Sequence, residues 1–392
     1  MTDKKKIISI FGTRPEAIKM APLIKELEAH PLFESIVIVT AQHREMLDQV
    51  LELFEIIPDY DLNIMKQNQT LYDVTTEVLR KLEAVLEEVQ PDMILVHGDT
   101  TTTFTAALAA YYKQIPVAHI EAGLRSGDLY SPFPEEANRK LTGVLTTLHY
   151  APTIQAMENL INEGVSKEKI FVTGNTVIDA LLHTIKKPDD CIHEKIKKRT
   201  CELLDISGRI ILVTAHRREN HDQFPQIFKA ISDIHDEFKD VRIIFPIHKN
   251  PKVRKAAEQF LVNKERINLI EPLEYYEFCD IMNKAYIVIT DSGGIQEEAP
   301  ALGKPVLVLR DNTERPEALQ TGTVKLIGTE RKRVYDNIKH ILTDQKSYDQ
   351  MAFAINPYGD GNASKRIVDH LKYYFGHNDT VPLSWDYSGS EE

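Results

Sequence analysis

Short, nearly continuous aliphatic runs recur along this chain. Each is followed by a longer stretch in which apolar residues return every three or four positions. Aliphatic runs without polar alternation are the mark of strands covered on both faces, and the 3.6-residue period marks the helices that cover them. The runs predict strands at 7–11, 36–40, 93–97, 117–120, 148–151 and 170–172. A second series follows at 210–214, 241–245, 267–270, 286–290, 306–309 and 324–327. Strand and helix alternating in two series predict an α/β fold: two Rossmann-like domains whose parallel sheets face each other across a cleft. Between Ile185 and Cys201 the chain turns polar and lysine-rich around Pro188-Asp189-Asp190, which reads as the connection. The expected division is 1–187 and 188–362, with a helix near 363–376 packing back on the first domain and a flexible tail over 377–392.

Length agrees with two domains, since 392 residues exceed what one core usually supports. A net charge of -12 speaks against a general nucleic-acid binder, but leaves room for one small anion held by local cations. Cys191, Cys201 and Cys279 are odd in number and lack metal-ligand spacing. Structural disulfides are therefore not expected, and a reduced cytoplasmic setting is. No apolar stretch reaches the length of a membrane span, and the run Ile7-Ile8-Ser9-Ile10-Phe11 is too short for a signal-peptide core.

In parallel sheets of this kind ligands sit beyond the carboxyl ends of the strands, and the chemistry-bearing motifs lie there. After the first strand comes Gly12-Thr13-Arg14-Pro15-Glu16-Ala17-Ile18-Lys19. A turn into a helix offers free N–H groups, and Arg14 and Lys19 could face an anion; an ordinary turn with solvated charges is the competing reading. Asp99, in His97-Gly98-Asp99-Thr100, is either a helix cap or a site carboxylate. Glu121 directly follows a buried strand, with an ion pair to Arg125 as the plain alternative. Glu135 and Glu136 open a helix, where acids suit the dipole in any case. Together, Asp99, Glu121 and Glu135 approach one edge of one sheet, and carboxylates in company drive their pKa values apart, as acid–base pairs require. In the second half His216 stands at a strand end beside Arg217 and Arg218, suiting an anion, and His248 lies in another polar loop on that edge. Asp291-Ser292-Gly293-Gly294 leads a strand into a helix, a geometry that offers N–H groups to a diphosphate. Glu298 could accept hydrogen bonds from a ribose, and Arg315 adds a cation. No metal-ligand cluster stands out, and no cofactor is expected.

These motifs in this order resemble the non-hydrolysing UDP-N-acetylglucosamine 2-epimerases. The resemblance rests on Gly12-Thr13-Arg14-Pro15-Glu16, His97-Gly98-Asp99-Thr100, His119-Ile120-Glu121-Ala122-Gly123-Leu124-Arg125, Pro134-Glu135-Glu136-Ala137-Asn138-Arg139, His216-Arg217-Arg218-Glu219-Asn220 and Asp291-Ser292-Gly293-Gly294. It implies a GT-B-like fold, a homodimer, and interconversion of UDP-GlcNAc and UDP-ManNAc for bacterial surface polysaccharides. It also implies a second UDP-GlcNAc site where substrate activates the enzyme. Gln42, His43, Arg217 and His248 are assigned to that site. Asp99, Glu121 and Glu135 would form the acid–base set, their sugar faces unassigned. His216, Arg14 and the Ser292-Gly293-Gly294 turn would stabilise the leaving diphosphate, with Lys19 and Arg315 in support. Three rivals share much of this pattern: a hydrolysing 2-epimerase that releases ManNAc and UDP, a GT-B glycosyltransferase, and a UDP-sugar-binding regulatory protein without catalysis.

Overall fold

The aliphatic runs assemble into two parallel sheets. The first holds β1 (Lys5–Phe11), β2 (Phe33–Val39), β3 (Tyr60–Asp61), β4 (Met93–His97), β5 (Val117–Ile120), β6 (Leu148–Ala151) and β7 (Ile170–Val172), in the spatial order β3-β2-β1-β4-β5-β6-β7. The second holds β8 (Arg209–Thr214), β9 (Val241–Pro246), β10 (Ile267–Ile270), β11 (Ile287–Thr290), β12 (Val306–Val308) and β13 (Val324–Leu326), in the order β10-β9-β8-β11-β12-β13. The computed structural model describes residues 4–41, 44–66, 68–186 and 208–387. The predicted strands are all present with small shifts at their ends, and β3 is an addition. Two residues long and without an apolar run, β3 leaves no pattern to read.

In each sheet the order reverses once, between β1 and β4 and between β8 and β11. Loops leaving a reversal point diverge to opposite sides and open a crevice at the carboxyl edge. The Gly12 and Asp99 motifs follow β1 and β4; the His216 and Asp291 motifs follow β8 and β11. Topology therefore brings the motifs together in pairs.

Each sheet has its own core. In the first, Ile8, Ile10, Ile38, Ile94 and Val96 pack against Val78 and Leu82 of the helix Leu71–Val89. In the second, Ile211, Val213, Ile243 and Phe245 pack against Phe224 and Phe228 of the helix Phe224–Glu237. A fully buried side chain of this size contributes about 1.5–3 kcal/mol. The chain divides into one unit ending at Leu182 and resuming at Tyr358, and a second from His183 to Pro357. The returning segment is fastened to the first unit: Asp179 accepts N–H bonds from Ala363 (3.2 Å) and Ser364 (2.7 Å), capping the helix Ala363–Tyr374. Within the stretch expected as a tail lies Trp385. Its N–H donates to the Val172 carbonyl (2.8 Å), and Arg366 lies over its ring at 5.0 Å.

Among the described residues no helix is long and apolar enough to cross a membrane. Cys279 is buried and unpaired with another cysteine. Cys191 and Cys201 lie outside the described residues, as does the expected connection between Ile185 and Cys201 from residue 187 on; Ile185 and Lys186 end the helix Thr176–Lys186.

Candidate active site

In the first unit Asp99 and Glu121 meet on one arginine. Arg139 lies one turn beyond Glu135 on the helix Glu135–Leu145, hence on the same face. Its Nη2 donates to Asp99 Oδ2 (2.5 Å) and reaches Glu121 Oε1 (3.4 Å), while Nη1 donates to the Glu121 carbonyl. Asn138 fixes the same turn by donating to the Asp99 carbonyl (3.0 Å). Asp99 is not the helix cap. Thr100 fills that place, its hydroxyl accepting the Thr103 N–H (3.1 Å), so the Asp99 carboxylate is left to the site.

Glu121 is 7% exposed and adopts φ +61°. A non-glycine residue held there is strained, and such strain gathers at functional sites. Its Oε2 receives the Lys19 ammonium and Asn175 Nδ2 (3.0 Å), with His97 Nε2 at 3.9 Å. Burial alone would raise the Glu121 pKa, but the Lys19 and Arg139 cations together hold it well below the ordinary carboxylate range. The alternative pair with Arg125 is not made: Arg125 grips Glu163 with two bonds of 2.8 and 2.6 Å. Burial pushes the His97 pKa down to about 4, and both of its ring nitrogens are buried without a hydrogen-bond partner.

Glu135 and Glu136 separate by helix face. Glu136 is buried and accepts the Ser126 and Gly127 N–H groups at 3.0 and 3.3 Å. Among the described residues the half-buried Glu135 side chain makes no hydrogen bond or ion pair. Arg14, half-buried in the first turn of the helix Arg14–Ala29, is likewise without a partner among them.

In the second unit the hub is Asp291, fully buried at the end of β11. It accepts the backbone N–H of His216 (2.9 Å) and of Arg217 (2.9 Å) and the Asn220 side chain (3.2 Å), and stands 3.3 Å from His216 Nδ1. The turn after β8 is thereby moulded onto β11. His216 is left half-exposed, its ring stacked on His248 at 5.6 Å. Burial and the neighbouring His216 both lower the His248 pKa. Ser292 stands at the N-cap of the helix Gly293–Glu298. Gly293 leaves room for Glu314, whose Oε1 lies 2.7 Å from where a Cβ would be. Glu314 receives Arg217 (3.0 Å) and Arg310 (2.6 Å). Arg315 binds the buried Glu297, and Glu298 accepts the Tyr275 hydroxyl at 3.3 Å. Among the described residues no group of three or more His, Cys, Asp or Glu is placed to hold a metal ion. Gln42 and His43 lie outside the described residues.

The family model for UDP-N-acetylglucosamine 2-epimerase matches residues 25–372. The chain belongs to the UDP-N-acetylglucosamine 2-epimerase family. Within it, the UDP-N-acetylglucosamine 2-epimerase of Bacillus subtilis (strain 168) is 52% identical, covering 97% of this chain and 99% of that one. A crystal structure from Listeria monocytogenes matches with a TM-score of 0.89 at 49% identity, covering 97% of this chain and 99% of that chain. The crystal structure of UDP-GlcNAc 2-epimerase from Neisseria meningitidis bound to UDP-GlcNAc is 52% identical with a TM-score of 0.82, covering 94% of this chain and 100% of that chain. The fold is therefore the GT-B-like pair of parallel-sheet domains expected for the epimerase family.

Sequence reasoning gave no role to several groups that shape this family member's site. Arg139 and Asp291 were visible only as members of motifs. Glu16, Asn175 and Glu314 reach their partners across the fold, and their spacing along the chain carries no sign of it. The i, i+4 relation of Glu135 to Arg139 is the one signal that could have been used.

Proposed function

We propose that this chain is a UDP-N-acetylglucosamine 2-epimerase of the non-hydrolysing type, interconverting UDP-GlcNAc and UDP-ManNAc. The observation that carries the reading is the gathering of Asp99 and Glu121 on one guanidinium, with Glu135 one turn away on the same helix face. The C2 hydrogen of an N-acetylhexosamine has no adjacent carbonyl, so direct deprotonation is very unfavourable. Breaking the C1–oxygen bond to UDP leaves an electron-poor C1. A carboxylate then takes the C2 proton, and C1=C2 forms in a 2-acetamidoglucal. Return of a proton to the opposite face of C2, with UDP oxygen rejoining C1, inverts the centre and balances every atom. Groups on both faces are needed, and three carboxyls supply them.

His216, Arg14 and the Ser292-Gly293-Gly294 turn would stabilise charge on the departing diphosphate, with Lys19 and Arg315 in support and Glu298 on the ribose. The resemblance and the Neisseria relative's bound UDP-GlcNAc support this choice of ligand. The same resemblance supports a cytoplasmic homodimer serving surface-polysaccharide synthesis. It also supports UDP-GlcNAc as an activator at a second site with Gln42, His43, Arg217 and His248.

The test is NMR of the protein with UDP-GlcNAc in deuterium oxide, without acceptor or added metal. UDP-ManNAc carrying deuterium at C2, its UDP bond intact, is expected. Free ManNAc with UDP would transfer the chain to the hydrolysing reaction, and no change would remove the epimerase reading.

A further inference from the structure

One buried carboxylate takes no part in the chemistry above. Glu16, in the first turn of the helix Arg14–Ala29, is 2% exposed. Its Oε2 accepts the Gly12 N–H (3.1 Å), the Thr13 N–H (2.8 Å) and the Thr13 hydroxyl (2.8 Å). Its Oε1 accepts the Thr100 hydroxyl (2.7 Å), with the Thr103 hydroxyl at 3.1 Å. One oxygen thus holds the turn after β1 and the other holds the turn after β4. The two strands pair only as far as Ile10 with Val96. Beyond that register the strand pairing stops, and side chains tie one turn to the other.

We propose that Glu16 is a positioning residue that locks the turn carrying Arg14 to the turn carrying Asp99. The inference rests on the epimerase reading, which makes those two residues a phosphate cation and an acid–base group. Glu16 reaches Asp99 through its neighbour: Thr100 caps the helix Thr101–Tyr112 with its hydroxyl while donating that hydroxyl's proton to Glu16. The Thr103 hydroxyl also lies 2.5 Å from the His97 carbonyl, which ties the clamp to the last residue of β4. Without Glu16, two backbone N–H groups and the Thr13 and Thr100 hydroxyls lose their acceptor, and the bridge between the two turns is lost. A displacement of about 1 Å at reacting groups costs on the order of 10²-fold in rate.

The test compares Glu16→Ala and Glu16→Gln with wild type, following deuterium incorporation at C2 of UDP-GlcNAc at a temperature where each protein is fully folded. Glutamine can turn its carbonyl to the Gly12 and Thr13 amides and its NH2 to the threonine oxygens, so it keeps the bridge. Glu16→Ala is expected to lower kcat by about 100-fold with KM within about threefold, and Glu16→Gln to recover about tenfold of that loss. Thr103→Val is nearly isosteric and removes a contact to Oε1 together with the hydroxyl's bond to the His97 carbonyl. It should lower kcat by about tenfold, and carries the test if Glu16→Ala does not fold. Folded variants with wild-type kcat would overturn the proposal, as would a rise in KM alone or no recovery with glutamine. A wild type that exchanges no C2 hydrogen would instead overturn the epimerase reading.

Discussion

Neighbouring glutamates with the same chemistry differ here only in where the helix points them. Glu136 spends its lone pairs on the Ser126 and Gly127 amides, whereas Glu135 is engaged by nothing among the described residues. A substitution at each should therefore fail differently. Glu135→Gln, like Asp99→Asn and Glu121→Gln, is expected to lower turnover by about 10²–10⁴-fold while UDP binding by calorimetry is unchanged. Glu136→Gln should lower thermal stability and leave the acid–base set in place. Equal losses of turnover at 135 and 136 would contradict the assignment. The sequence carries this distinction poorly, since both acids satisfy a helix start. The same holds for Asp99, whose alternative as a cap disappears only once Thr100 is seen in that role. Lys19 stands as a cation near the site in both sequence and structure, but its partner there is Glu121. That pairing spans the sheet and has no trace in local spacing.

At the scale of elements, strands covered on both faces write themselves into the sequence as aliphatic runs, and so twelve of the strands were legible while the edge pair Tyr60–Asp61 was not. Turns are less legible, because what they demand is set by neighbours. Gly123, directly after the Glu121-Ala122 turn, has φ +87°, and a Cβ there would lie 2.2 Å from the Ala156 carbonyl oxygen. Gly127 has φ +84° and open space around it. Alanine at either costs about 1–2 kcal/mol for the left-handed backbone, and only at 123 is a backbone clash added. Gly123→Ala should therefore lower the denaturation midpoint far more than Gly127→Ala; equal effects would mean that helix Ile154–Asn162 yields to the new methyl. The returning helix Ala363–Tyr374 adds a pH-dependent contact. His370 is buried, stacked on Phe171 at 4.5 Å, beside the Tyr150 hydroxyl at 3.1 Å, with Tyr373 its other ring neighbour. Burial lowers its pKa to about 4 from an ordinary 6.5. As pH falls below 6.5 the unfolded chain gains a proton that the folded chain refuses, so stability is lost until pH approaches 4. The slope is about 1.4 kcal/mol per pH unit for such a histidine. His370→Phe keeps the stack and removes the titration. Its denaturation free energy should fall less steeply between pH 6.5 and 4.5 than that of wild type, and parallel profiles would exclude His370 as a source.

For the whole molecule, the division into two units, each with its own core, gives ligand binding a spatial signature. The motifs read as an acid–base set all lie in the unit built on β1 to β7, and the Ser292-Gly293-Gly294 turn, Glu298 and His216 lie in the unit built on β8 to β13. If the second unit holds the nucleotide, UDP alone should bind it without any sugar present. A ligand at 100 times its Kd stabilises the folded state by about 2.7 kcal/mol. That free energy should fall mostly on the amides moulded around Asp291: His216 and Arg217, which donate to it, and the first turn of the helix Gly293–Glu298. Hydrogen exchange of the protein with and without UDP reads this directly. Slowed exchange centred on 214–220 and 290–298, with smaller change in β4, β5 and the helix Glu135–Leu145, is expected. Protection centred instead on the first unit would reverse the roles of the two units and leave Asp99, Glu121 and Glu135 as nucleotide contacts. Protection spread evenly over both would mean that UDP reports a global change and not the address of its own site. The outcome matters for the chemistry, because elimination and re-addition require UDP to stay bound after its bond to the sugar is broken. A nucleotide held by groups separate from the acids can remain while the glycal is reprotonated on its other face.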